Sequence, residues 1–217
     1  MFFDLDPATL IARIIVLVFA FTIHELAHAW TATWFGDDTP RLYGRLSPNP
    51  LAHLDPMGSL LLLVAGFGWA KPVPVNPNVL QRRSSAALMW VSFAGPLSNL
   101  LLAILAAIPF QLGLVSVYDA FGASTAFFPS ASKILVEFVW INLVLMIFNL
   151  IPIAPLDGEK ILDYFAPANW SGFLDRIRPY GPVILIVIVF VGPMLGVDII
   201  GMIIMPPIQA LFGFLVG

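Results

Sequence analysis

Apolar residues occupy this chain in long blocks separated by short polar stretches. The first block runs from about Leu10 to Phe35. It predicts a helix over about Ala8–Phe35, opened by Pro7 and stopped by Gly36-Asp37-Asp38. Comparable blocks cover Ser84 to about Leu112 and about Ser132 to Ile151, the latter broken by Pro152 and Pro155. Each reaches the roughly 20 residues that a helix needs to cross a bilayer. From Tyr180 onward the chain is apolar again, with breaks at Gly192-Pro193 and Pro206-Pro207, and either one kinked span or two shorter segments fit. Met57–Phe67 is apolar but too short to span, and reads as a re-entrant or interfacial piece. The prolines at 72, 74 and 77 then forbid helix and favour extended backbone. The fold class is therefore an all-α polytopic membrane protein. We expect four to five transmembrane helices in one domain over residues 1–217. A re-entrant or extended segment, with a β-hairpin as one of its forms, lies at about 57–77.

Composition sharpens this picture. The chain is 59% hydrophobic and only 11% charged, less than half the usual charged share of a soluble domain. A net charge of −3 offers no basic surface for nucleic acid. With no cysteine, any metal must be held by histidine and carboxylate. The first block lacks a basic n-region and a small-residue cleavage site, so it reads as a retained helix. Basic residues cluster in 36–85 (Arg41, Arg45, Lys71, Arg82, Arg83) and 155–180 (Lys160, Arg176, Arg178). The positive-inside rule puts both loops in the cytoplasm and the N-terminus outside.

The chemistry concentrates at His24-Glu25-Leu26-Ala27-His28, inside the first block. Two of the chain's three histidines stand four apart, on one face of a helix, where they can share a metal ion. Glu25 lies at the edge of that face and can take a proton from a water the metal polarises. Ionisable groups in hydrocarbon are expensive and mark function by default. A third ligand is required, and His53, Asp55, Asp157 and Glu159 are candidates. Asp157 is the strongest, because it follows a helix break and approaches the same depth from a separate helix. His53 suits a supporting role behind the ligands. Asn149 and Asn142 could donate to an oxyanion, and helix–helix adhesion is an equal reading for both. Gly95 and its neighbours read as a close-packing site.

Taken with Gly95-Pro96-Leu97-Ser98-Asn99 and with Asn149 through Pro152, Pro155 and Leu156-Asp157-Gly158, the His24–His28 motif resembles the site-2 protease family of intramembrane zinc metalloproteases. Asn49-Pro50-Leu51-Ala52-His53-Leu54-Asp55-Pro56 and Gly68 through Pro77 resemble its compact prokaryotic branch, which lacks PDZ and CBS domains. The resemblance covers nearly all of Ile23–Gly158. It implies one zinc ion per chain held by His24, His28 and Asp157, with Glu25 as catalytic base. It also implies an extended segment near the site that helps present substrate. Extended backbone offers edge groups for strand addition, so the substrate is expected to pair along Val73–Asn76, with Val73, Val75 and Asn76 as the presenting residues, and Asn99 is a further oxyanion or substrate candidate. Glu159 stands where the family more often has a small residue, so a further carboxylate near the metal is expected.

The expected function is an intramembrane zinc endopeptidase in a prokaryotic cell membrane. Its partners would be the lipid bilayer and a single-span or small membrane protein substrate, cut near the cytoplasmic side. A metal transporter would also want His and Asp at depth, but it usually shows internal repeats, and none is found. An inactive homologue serving as a scaffold would not need the intact Glu25.

Overall fold

The computed structural model describes residues 6–59, 68–121 and 127–217. Five helices in it are long and apolar enough to cross a membrane. We label α1 Pro7–Trp34, α2 Ala87–Gln111 and α3 Ala131–Asn149. A short helix, α4 (Asp157–Phe165), precedes the last two long ones, α5 (Gly172–Met194) and α6 (Ile199–Val216). The protein is an all-α polytopic membrane protein. Most of the expected Met57–Phe67 piece lies outside the described residues.

Local sequence explains the helix ends. Asp6 caps α1 by accepting the Thr9 N–H at 2.9 Å. The Thr9 hydroxyl, then the Thr9 N–H, hold the exposed Asp6 carboxyl down to about 2. Ser130 caps α3 in the same way, through the Lys133 N–H. The open question over the C-terminal block is answered by two helices separated at 195–198. Gly192-Pro193 sits at the end of α5, where the expected break occurs. Pro206-Pro207 instead lies inside α6 without ending it. Neighbouring backbone can re-satisfy the carbonyls that a membrane proline frees.

The bundle core forms where α2, α3 and α6 meet. Ala103, Ala106 and Ala107 of α2 face Val139 and Leu143 of α3 and Ile204 and Ile208 of α6. Small residues let these backbones approach, which is what drives helix association where lipid removes the hydrophobic incentive. Trp140 belongs to this packing, edge-on to Phe212 with ring centroids 5.6 Å apart.

Interhelix bonds fix the directions. Lys133 Nζ lies 3.3 Å from Asp6 Oδ2, so α1 and α3 begin side by side. Gln111 Nε2 donates to the Leu215 carbonyl at 2.6 Å, so α2 and α6 end side by side. A chain that alternates through α1, α2 and α3 brings α3 to the face where α2 began. Since α6 runs parallel to α2, it also begins toward that face. The intervening α5 therefore starts and finishes toward one face of the bundle. Its start is pinned there by Arg178, whose Nη2 lies 2.6 Å from Glu159 of α4.

The ends of α2 and α6 thus lie toward one face of the bundle. Reporters fused after Gly217 and inserted beside Gly113 should therefore read the same compartment, and one at Asn169 the other. Opposite readings at Gly217 and Gly113 would show that α5 crosses.

Candidate metal centre

The site is built where α1, α2 and the start of α4 converge. His24 and His28 lie about two turns from the end of α1, both nearly buried. Their Nε2 atoms are 3.0 Å apart. Asp157 Oδ2 stands 3.2 Å from His24 Nε2 and 3.4 Å from His28 Nε2. Ligand atoms bound at about 2.0–2.1 Å to one tetrahedral ion stand about 3.3 Å apart, so this triangle has the right size for zinc. It is the metal-competent His/Asp/Glu group found among the described residues.

The sequence forces this convergence through two glycines. A Cβ on Gly95 of α2 would stand 2.4 Å from His28 Nε2 and 2.6 Å from His24 Nε2. Gly95 is thus the surface against which the imidazole edges rest. A Cβ on Gly158 would meet the Leu150 carbonyl at 2.3 Å, so only glycine lets α4 begin tight against the end of α3. That contact delivers Asp157, the first residue of α4, to the histidines.

The tautomers follow from the hydrogen-bond chain behind the ligands. Asn142 Nδ2 donates to the Phe138 carbonyl at 2.9 Å. A carbonyl only accepts, so the Asn142 oxygen faces Asn99 and accepts its Nδ2–H at 2.8 Å. The Asn99 oxygen is then left facing His24 Nδ1 at 2.6 Å, which must carry the proton. His28 Nδ1 donates to the Val91 carbonyl at 2.7 Å by the same logic. Both Nδ1 atoms are therefore protonated in the neutral rings, and both Nε2 lone pairs point into the triangle. This is the arrangement that metal-binding histidines need.

The predicted residues sort as follows. The structure brings His24, Glu25, His28, Asp157 and Asn149 to one cavity of about 620 Å³, with Val73 and Val75 on its wall. Glu25 is buried and lines the cavity beside the ligands. Asn149 gives one amide N–H to the Leu145 carbonyl at 2.9 Å, and its second N–H has no partner among the described residues. Asn99 and Asn142 do not serve as oxyanion donors: both are fully buried and spend their polar atoms on the chain behind His24. Glu159 is not beside the metal triangle but pairs with Arg178. His53 is fully buried in the loop after α1, where its Nε2 donates to the Ser47 carbonyl at 2.7 Å. It stands apart from the metal triangle and braces the loop instead.

The expected extended segment is present over 69–76, paired by one antiparallel bridge, Leu54 with Ala70, and not by a β-hairpin among the described residues. Asn76 is committed elsewhere. Its N–H donates to Asp37 at 2.6 Å, and its side chain caps the helix Pro77–Arg83. Sequence reasoning passed over Asp37, Arg45 and the metal-facing role of Gly95. A charged residue in a loop gives no sign of being buried, and a glycine gives none of what it touches.

Asn99→Ala should weaken zinc affinity roughly 10- to 100-fold, the usual cost of losing a partner behind a ligand. Competition with a chelator on purified protein measures it, and unchanged affinity would mean that His24 needs no fixed tautomer.

Known proteins supply the remaining information. The model of Peptidase family M50 matches residues 111–191. The chain is 42% identical over 183 residues to a protein of Bacillus subtilis (strain 168) named as a candidate zinc metalloprotease, YwhC, covering 83% of this chain and 80% of that one. It is 33% identical over 167 residues to Rip2 of Mycolicibacterium smegmatis, also named as a candidate zinc metalloprotease, covering 70% of this chain and 60% of that one. No solved structure matches. On this identity, spread over four-fifths of both chains, the protein belongs to peptidase family M50, the site-2 protease family of zinc metallopeptidases.

Proposed function

We propose that this protein is an intramembrane endopeptidase that cuts a membrane protein substrate in or near its transmembrane segment, from the cytoplasmic side. The observation that carries the reading is the triangle of His24, His28 and Asp157 opening, with Glu25, into a mostly apolar cavity between helices. A single zinc ion bound there would polarise a carbonyl and lower the pKa of a water. The remaining work falls to the chain itself. Glu25 takes the proton of the attacking water and passes it to the leaving amine. Asn149 offers its free N–H to the oxygen that gains charge. The cytoplasmic assignment rests on the basic residues of 36–85 and 155–180, which share the face toward which α1 carries His24 and His28.

A substrate helix must unwind before its peptide bond can be reached, and each backbone group freed in hydrocarbon costs several kcal/mol unless it is paired. Val73 and Val75 line the cavity and, among the described residues, have no hydrogen bond on N–H or C=O. They offer an edge for strand addition. The pairing surface is thus Val73–Val75, shorter than the Val73–Asn76 edge expected from sequence, because Asn76 N–H is already engaged.

Two experiments test this. Glu25→Gln should keep one zinc ion per chain while cleavage of a co-expressed single-span protein falls by about 10²–10⁴. Asp157→Ala should lose both. Cleavage surviving in Glu25→Gln would sink the protease assignment of that residue, and metal uptake without cleavage in the parent would favour a transporter. Val75→Pro removes one donor from the edge, so turnover should drop with zinc content unchanged. Normal turnover would leave the segment a mere linker.

A further inference from the structure

Two charged side chains buried in the loop after α1 take no part in the metal triangle. Arg45 is 3% exposed and Asp37 1%. Arg45 has no carboxylate partner among the described residues and spends its guanidinium on backbone carbonyls. Its Nη1 donates to Ala52 at 2.6 Å and to Lys71 at 3.0 Å, and its Nη2 to Pro72 at 2.8 Å. Asp37 uses Oδ1 to accept from Thr39, both N–H and hydroxyl, and Oδ2 to accept the Asn76 N–H at 2.6 Å. The Lys71 N–H is in turn taken by the His53 carbonyl at 2.7 Å.

These bonds divide the extended segment in a definite way. Everything at its two ends is tied: Lys71 and Pro72 at one, Asn76 at the other. Val73 to Val75, between the ties, has no backbone hydrogen bond among the described residues. Both anchors come from the polypeptide leaving α1, and Asp37 is itself bonded back to the helix through its N–H to the Ala32 carbonyl at 3.0 Å. The free stretch is therefore registered to the helix that carries His24 and His28.

We propose that Arg45 and Asp37 are positioning residues that hold Val73–Val75 open as a substrate-pairing edge at a fixed place relative to the metal. This rests on the strand-addition reading above. A proline-containing segment cannot hold itself in place, since Pro72 and Pro74 have no N–H to offer and make no ladder. Buried charge is the price of fixing it: a guanidinium presents a rigid fork that reaches several carbonyls at once, which an ammonium cannot copy.

The chain has no cysteine, so a single one can be placed without ambiguity. In a Glu25→Gln background, Val73→Cys should form a disulfide with a substrate bearing one cysteine near its scissile bond. Adding Arg45→Lys or, independently, Asp37→Ala should reduce that capture, with zinc content unchanged. In the active protein each should lower kcat/KM through a higher KM, roughly 10- to 100-fold, the scale on which misplacing a reacting group by an ångström acts. The two together should cost less than the product of the separate effects, because they hold one segment.

Arg45→Lys keeps the positive charge near Glu25 and loses the fork, so full capture and full turnover in that variant would overturn the proposal and leave charge as the residue's role. Full capture in Asp37→Ala, or a loss of zinc in either variant, would overturn it as well. If the parent cleaves but Val73→Cys captures nothing, the substrate does not lie on this edge, and the clamp falls. If the parent neither cleaves nor captures, the protease reading itself has failed.

Discussion

The structure depends on the need to satisfy polar groups inside an apolar bundle. Hydrocarbon offers no water, so the two imidazoles, the two amides and the carboxylate must find one another or backbone. The chain from Phe138 through Asn142 and Asn99 to His24 is that solution, and it links α3, α2 and α1 at one depth. Because it terminates on a backbone carbonyl, it has only one consistent direction. That direction leaves the His24 Nε2 lone pair unspent and aimed at Asp157, and the Val91 carbonyl does the same for His28. Packing and ligand chemistry are thus one constraint: moving α2 relative to α1 would unpair Asn99 and displace Gly95 from the imidazole edges together.

The parts of this site that were legible in the sequence are those that a local period or a break announces. A spacing of four puts His24 and His28 on one helical face whatever surrounds them. A proline break followed by Leu156-Asp157-Gly158 marks a chain turning back at depth, and Gly158 is where the turn needs contact without a Cβ. The separate roles of the amides are not legible, because an asparagine in a span announces a partner but not which one. Asn142 and Asn149 both give an N–H to the carbonyl four residues back, yet one completes a relay and the other faces the cavity. Hydropathy registers the length and polarity of α5 but not its direction. Only the pairing of Gln111 with Leu215 reveals that α6 returns parallel to α2.

Arg45 illustrates a second kind of blindness. In a polar loop a cation is expected to be solvated, yet here burial pulls the guanidinium below its ordinary value while the Glu25 carboxylate draws it back. Glu159 shows the converse. Its position two residues after Asp157 suggests a carboxylate near the metal, but two residues along a helix turn a side chain by about 200°. Glu159 is thereby directed to Arg178 at the start of α5, and the ion pair joins the ligand-bearing helix to the one that lines the cavity through Leu185 and Phe190.

These two clusters divide the work around the metal by physical type. The ligands are held by neutral hydrogen bonds within the spans, where a stray charge would be costly. The extended segment is held by full charges, Arg45 and Asp37, buried in a loop outside the long helices, where both Nη atoms of Arg45 and both carboxylate oxygens of Asp37 have hydrogen-bond partners that offset their burial. Charge-assisted bonds are shorter and roughly twice as strong as neutral ones, so a few of them can restrain backbone that has no ladder of its own. On the proposed pairing with a substrate strand, the segment cannot be restrained by a permanent neighbouring strand, because that strand would occupy the same edge. Side chains reaching past the edge to grip its two ends are the remaining way to make it rigid and still leave it bare.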